Sequence, residues 1–268
     1  MRQQSSLPRF LASAAVTAML AAGLGGCQTM SDITGSITSS KAEASTDADP
    51  RRAVEVYGER YRGNSNDTDA ALRYGQALRA TGQRAQAVAV LEQATIAHPG
   101  NKALLAGYGR ALADNGNFKQ AFDVLSRAHS PENPDWRILS VQGTALDQLG
   151  RHDEARRYYA SALKIVPEEP SVLSNLGMSY VLSKDLPKAE ENLRRAYGSA
   201  NADTRVRQNL GLVVGLQGRF AEAETIVKAD LPAEEAAANV AYLKQMLSRK
   251  DGPRGGGTIP VAALNRPD

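Results

Sequence analysis

The sequence predicts an all-α protein: a right-handed superhelical solenoid of about five helix hairpins, closed at each end by a capping helix. Glycine recurs every 34 residues at Gly75, Gly109, Gly143, Gly177 and Gly211. Alanine does the same at Ala87, Ala121, Ala155, Ala189 and Ala223, and again at Ala94, Ala128, Ala162 and Ala196. A period of that length belongs to a helical unit that cannot bury its apolar face alone and stacks on copies of itself. Composition agrees, since 268 residues that are 42% hydrophobic can build such a stack. The single Cys excludes a disulfide framework within the chain, and with only three scattered His it argues against a zinc site. The formal charge of +3 becomes +1 once Arg2 and Arg9 are set aside with the leader described next, too near neutral to mark a nucleic-acid surface.

The chain opens with a basic stretch from Met1 to Arg9, an uncharged apolar run from Phe10 to Leu24, and then Gly25-Gly26-Cys27. That order reads as a signal peptide over residues 1–26. The run of 15 residues falls short of the roughly 20 that a transmembrane helix needs, and polar sequence follows it. Leu24-Gly25-Gly26-Cys27 resembles the bacterial lipobox, which implies lipidation of Cys27 once the leader is cut. Its acyl chains would hold the protein on a membrane, each buried CH2 contributing about 0.8 kcal/mol. Gln28, where an Asp would signal inner-membrane retention, points to the periplasmic face of the outer membrane. An ordinary secretory signal followed by a fortuitous thiol is the other reading of the same residues. Beyond Cys27, nine Ser/Thr and no aromatic residue up to Pro50 make residues 27–50 a flexible tether with a reach of about 25 Å.

Counting 34 residues back from Ala87 lands on Ala53, so residues 51–61 read as a solitary N-terminal helix. Five blocks follow, at 68–101, 102–135, 136–169, 170–203 and 204–237. Their small residues fall at block positions 8, 20 and 27, with Pro99 and Pro167 at position 32, which resembles the tetratricopeptide repeat. Glycine at position 8 and alanine at position 20 mark where the two helices of a hairpin cross, and alanine at position 27 admits the next hairpin. Large residues at positions 4, 7, 11 and 24 fill the seams, as Leu105, Tyr108, Leu112 and Leu125 do in the second block. Gly82, Gly116, Gly150 and Gly218 end first helices at position 15, with Lys184 the exception, and Pro187 fits the first turn of a second helix. Asp230 takes the alanine's place at position 27 of the last block. Residues 233–249, with the stripe Ala236, Val240, Leu243 and Leu247, read as a capping helix. Residues 251–268, rich in Gly and Pro, read as a disordered tail.

No phosphate-binding glycine loop, nucleophile elbow or zinc-protease motif occurs. His98, His129 and His152 fall at positions 31, 28 and 17, which share no face, and Trp136 reads as packing beneath the turn of Pro131 and Pro134. No catalytic residue, metal or cofactor is therefore expected, and neither a nucleic acid nor a small-molecule substrate. The first helices of the blocks should line the inner face of the solenoid, with positions 2, 5, 9, 12 and 13 away from the core stripe. In the first three blocks this face is polar and partly basic, with Arg79, Arg110 and Arg137 beside Gln76, Thr144 and Gln148. In the last two it carries Met178, Val181, Leu182, Leu212 and Leu216, with Arg205 and Gln208 beside them. An exposed apolar patch of this kind suits a protein partner, unless the fifth block and the cap fold over it as core. Asn175 and Asn209, both at position 6, are candidates for bonding a ligand backbone. Leu72, Gln76 and Gly107 stand where a carboxylate clamp needs Lys and Asn, which argues against a C-terminal acidic chaperone tail.

The lipobox, the Ser/Thr-rich tether, the repeats and the closing segment Asp230-Leu231-Pro232-Ala233-Glu234-Glu235-Ala236-Ala237-Ala238-Asn239-Val240-Ala241-Tyr242-Leu243 together resemble the TadD-like lipoproteins of tight-adherence (Flp) pilus assembly. The resemblance spans residues 10 to 250. It implies a non-enzymatic assembly factor whose partners are the pilus secretin or other pilus-assembly components, reached through the groove while the lipid anchor holds the membrane. Two other classes stay open. One is a scaffold for a different envelope process, such as another pilotin, outer-membrane protein assembly or cell-wall machinery, and the other is an enzyme or enzyme-associated regulator.

Overall fold

The computed structural model describes residues 49–250, the side chains through 248. The signal peptide, Cys27, nearly all of the tether and the 251–268 tail lie outside the described residues. Among those described, twelve α-helices and no β-strand follow one another. Helix α1 (Pro50–Gly63) stands alone, and five hairpins come next. They are α2 (Thr68–Ala80) with α3 (Arg84–Ala97), α4 (Lys102–Asp114) with α5 (Phe118–Leu125), and α6 (Trp136–Gln148) with α7 (His152–Ile165). Then come α8 (Pro170–Leu182) with α9 (Leu186–Tyr197) and α10 (Thr204–Leu216) with α11 (Phe220–Val227). Helix α12 (Ala233–Lys250) ends the stack.

The five periodic glycines do one job. A Cβ built on Gly75 would lie 2.6 Å from Leu91, on Gly109 2.5 Å from Leu125, and on Gly143 2.6 Å from the Tyr159 ring. On Gly177 it would lie 2.7 Å from Leu193 and on Gly211 2.5 Å from Val227. Each glycine thus makes room for the residue at position 24 of its own hairpin, while the position-20 alanines are wholly buried alongside. Every hairpin turn closes the same way. The amide at position 16 donates to the carbonyl at position 11, as from Gln83 to Leu78 at 2.8 Å and from Asp185 to Tyr180 at 2.9 Å. Position 15 takes positive φ at Gly82, Gly116, Gly150 and Gly218, and Lys184 adopts it too, at 62°.

The starts of the first helices are equally regular. Asp67, Asn101, Asp135, Glu169 and Asp203 are themselves 34 residues apart, and each side chain accepts hydrogen bonds from amides of the helix it opens. Successive first helices approach one another closely along their backbones, whereas neighbouring second helices meet only through long side chains, as Phe122 does with Tyr158 and Arg194 with Glu222. The stack therefore curves toward its first helices, which form the inner face.

The apolar core of the described residues falls into four clusters, of which the second and a small fourth one, Leu173, Ala196 and Val206, share Leu163. One cluster runs from α1 through the first two hairpins to Ile138, and a second sits in the third hairpin around Tyr159. A third joins the last two hairpins through Leu193, Leu210 and Val214. Arg207 stands at position 4 of the last hairpin, where Leu105, Leu139 and Leu173 stand in the three before it, and its guanidinium pairs with Asp230. Helix α12 then seats Leu243 where a Cβ on Gly215 would come within 2.5 Å, and Ala236 is fully buried.

Gly109→Ala should lower stability by about 1–3 kcal/mol, because the added Cβ would lie 2.5 Å from Leu125, a fully buried side chain that would have to shift. Gly63→Ala meets nothing within 4 Å and should be neutral or stabilising, as alanine is intrinsically the better helix former. Urea unfolding followed by circular dichroism checks both.

Candidate binding surface on the inner face

The inner face is built from α2, α4, α6, α8 and α10. Of the positions read as facing inward, 5 is taken up largely by contact between neighbouring first helices, which buries Ala106, Ser140 and Ser174. At position 12, Asp147 is buried against Ser179 of the next first helix and Gly215 beneath Leu243 of the cap, while Arg79, Ala113 and Val181 are half-buried. Positions 2, 9 and 13 stay accessible along most of the stack.

Over the last two hairpins the accessible residues are apolar. Met178, Leu212 and Leu216 are half-buried, and Leu182 is 39% exposed. Val181 is half-buried as well and packs against the cluster containing Leu193, Leu210 and Val214. Arg205 is exposed in the first turn of α10, with Gln208 half-buried one turn on. Helix α12 covers part of α10 through Leu243 and Val240, so the apolar strip is bordered by the cap.

Asn175 and Asn209 have a structural use. The Asn175 amide donates to Ser140 Oγ at 3.1 Å, and that of Asn209 to Ser174 Oγ at 3.0 Å. Each bond links a hairpin to the one before it, through residues 35 apart. The amide oxygen of each has no partner in these contacts and keeps its capacity to accept.

Behind the middle of this face lies a polar cluster that the sequence reading missed. The buried Asp147 carboxylate accepts from Ser179 Oγ at 2.8 Å and from Tyr159 Oη at 3.0 Å, and His152 Nδ1 lies 2.9 Å away. Burial and the adjacent carboxylate push the Tyr159 phenol far above its ordinary range. Ser179 is wholly buried, and the group ties α6, α7 and α8 together. His98 contacts the Asn66 carbonyl at 3.2 Å and His129 the Gln142 side chain at 3.1 Å. Trp136 packs on the third-hairpin core with the Arg137 guanidinium 4.5 Å from its ring centroid. Among the described residues no cluster of His, Cys, Asp or Glu is arranged to hold a metal ion, and no helix is long and apolar enough to cross a membrane.

Glu190 holds the last two hairpins together behind the apolar strip. It accepts from Arg194 Nε at 2.7 Å, from Gln217 Nε2 at 2.8 Å and from Arg219. These donors, Arg219 foremost, draw its pKa down from 4.5 to about 2 against the opposing effect of burial. A carboxylate depressed on folding stabilises fully above its unfolded pKa and loses that contribution as pH falls through the folded one. Thermal stability should accordingly decline from about pH 4.5 toward about pH 2, and Glu190→Gln should flatten part of that decline in circular-dichroism melts.

The tetratricopeptide-repeat family pattern matches residues 78–135 and again 140–204. No curated protein matches the chain. Among solved structures, the chain is similar to PilW, described as a widely conserved type IV pilus biogenesis factor. The two are 16% identical with a TM-score of 0.63, over 78% of this chain and 100% of PilW. A thermophilic tetratricopeptide protein of Thermus thermophilus is 21% identical with a TM-score of 0.56, over 68% of this chain and 97% of that one. The Cut9–Hcn1 hetero-tetramer of the APC/C is 16% identical with a TM-score of 0.58, over 75% of this chain and 41% of that one. At these identities the likeness is one of fold.

Proposed function

We propose that this tetratricopeptide-repeat protein is a lipid-anchored, non-enzymatic scaffold for assembly of a tight-adherence (Flp) pilus, acting by helping the outer-membrane secretin form or localise. The observation that carries the binding role is the apolar strip of Met178, Leu182, Leu212 and Leu216 on the inner face. It leaves Leu182 39% exposed beside half-buried neighbours, an arrangement that gains from being covered by a partner. The Leu24–Cys27 lipobox and the Asp230–Leu243 ending, both read from sequence, support the anchor and the pilus assignment. The likeness of fold to a type IV pilus biogenesis factor is in keeping with it.

The anchor gives the scaffold its place. With Cys27 acylated and a tether of about 25 Å, the repeats work close to the periplasmic face of the outer membrane, where a secretin would be assembled. Confinement near a membrane raises the effective concentration of a membrane-bound partner, so the strip need bind only modestly on its own.

Co-purification of the tagged protein from mild-detergent envelope extracts, with partners identified by mass spectrometry, tests this reading. Secretin or other pilus-assembly components are expected, with recovery reduced by Cys27→Ser. Recovery of cell-wall enzymes or outer-membrane assembly proteins instead would overturn the pilus assignment. Leu182→Glu combined with Leu216→Glu should abolish capture while leaving the helical melt nearly intact. Gross unfolding of that pair would show the strip to be core.

A further inference from the structure

The inner face changes character along the stack, and its first three hairpins hold a cation without a partner. Arg79 Nε donates to Asp114 at 2.6 Å, joining α2 to α4. Arg137 lies over Trp136 at the start of α6. Between them Arg110, at position 9 of α4, is half-buried. Among the described residues it makes no hydrogen bond or ion pair, yet its nitrogens still reach solvent. Burial lowers its pKa, and Arg79 and Arg137 lower it further, against the opposing pull of Asp135 and Asp114. Holding a guanidinium in such a place costs free energy that an incoming anion would offset.

The charges nearby limit what that anion can be. Arg79, Arg110, Arg137 and the Lys102 of an adjoining cavity, set against Asp114, Asp135 and the Glu132 that faces Lys102, leave about one net positive charge, which fits a single carboxylate. A phosphate or polyanion would carry more charge than the patch balances, and would carry it close to two aspartates. A guanidinium suits a carboxylate because its planar fork presents two parallel N–H donors. One turn before Arg110 on the same helix, Ala106 lines a cavity of about 200 Å³ with Lys102, Ala103, Ala128 and Ile138 in its wall. Asp135 lines that cavity too and its charge acts on Arg110, and with Ala106 one turn from Arg110 the cavity and the cation are neighbours. The cavity's apolar side, formed by Ala103, Ala106, Ala128 and Ile138, suits one aliphatic side chain, and His129 and Asn133 join Lys102 and Asp135 on the polar side.

We propose that the inner face of the first three hairpins recognises an acidic side chain within an extended segment of the partner protein, Arg110 taking its carboxylate and the adjoining cavity a neighbouring aliphatic residue. This deepens, and rests on, the reading of the inner face as the partner-binding surface. It adds a charged end to the apolar strip of the last two hairpins, so that an extended partner is held in one direction only. The site is not a clamp for a C-terminal tail, because Leu72, Gln76 and Gly107 occupy the positions that such a clamp needs. Arg79 and Arg137 act as positioning residues, the first fixed by Asp114 and the second by the Trp136 ring.

The test uses the full-length protein in detergent and two pools of fluorescein-labelled twelve-residue peptides. The pools have degenerate aliphatic flanks and differ only in a central Glu or Gln. Fluorescence anisotropy should show the Glu pool bound about tenfold more tightly. Arg110→Gln should abolish that preference with an unchanged helical melt, and Arg110→Lys should give an intermediate one. Equal binding of the two pools by the wild-type protein, absence of binding included, would overturn the proposal. So would a Glu preference that survives in Arg110→Gln. The Leu182→Glu, Leu216→Glu variant distinguishes the two claims, since it should lose partner capture from envelope extracts yet retain the preference for Glu over Gln.

Discussion

The side chain at position 24 of each hairpin occupies the space that a Cβ at position 8 would need. Leu91, Leu125, Leu193 and Val227 fill it with aliphatic atoms, set against Gly75, Gly109, Gly177 and Gly211. Helices brought this close bury the position-20 alanines completely, and these close-packed hairpins are what the stack is built from. The third hairpin obeys the same constraint with a larger residue, and the consequence spreads. Tyr159 fills the space opposite Gly143 but brings a hydroxyl into the interior, which needs an acceptor. Asp147 supplies it, and a buried carboxylate needs further donors, which come from Ser179 in the next hairpin and from His152. One aromatic substitution at a packing position thus accounts for the whole polar cluster between the second and third apolar clusters.

The joints between hairpins differ accordingly. The first two hairpins share an apolar core with α1, and the last two share another, while the junction of the third and fourth relies partly on directional polar contacts. The Asn–Ser bonds at residues 140 and 175, and at 174 and 209, fix the relative rotation of neighbouring first helices. A surface carried on such joints has a defined spacing between its basic and apolar ends. That matters for recognising an extended chain, whose side chains recur at fixed intervals.

Much of this was legible in the sequence because a repeat states its geometry several times over. The 34-residue glycine and alanine series located the hairpin crossings, and Asp230 marked where the series stops. The capping residues Asp67, Asn101, Asp135, Glu169 and Asp203 have the same period but differ in identity, so a search for repeated residues passes over them. The Asp147 cluster was harder still. Position 12 reads Arg79, Ala113, Asp147, Val181 and Gly215, a series with no periodic signal, and the cluster forms only when three helices meet. Position 5 looked like free inner surface on a helical wheel, yet first-helix contact buries Ser140 and Ser174 there. Val181, half-buried like Met178, Leu212 and Leu216, also packs against the third apolar cluster, a contact that a single-helix projection does not register.

The Arg207–Asp230 pair has a consequence for how such an array changes length. Leu105, Leu139 and Leu173 occupy position 4 in three successive hairpins, with Ala128, Ala162 and Ala196 at position 27, so these units present similar faces to their neighbours. Duplication of a 34-residue unit within that stretch would regenerate a compatible junction on both sides. A copy appended after the fifth hairpin would instead have to bury an ion pair, or break it, at a cost that close packing would not recover. The array is therefore open to lengthening from its interior and closed at this end, and a gain of repeats would move the arginine-lined and leucine-lined regions apart while leaving the terminus intact.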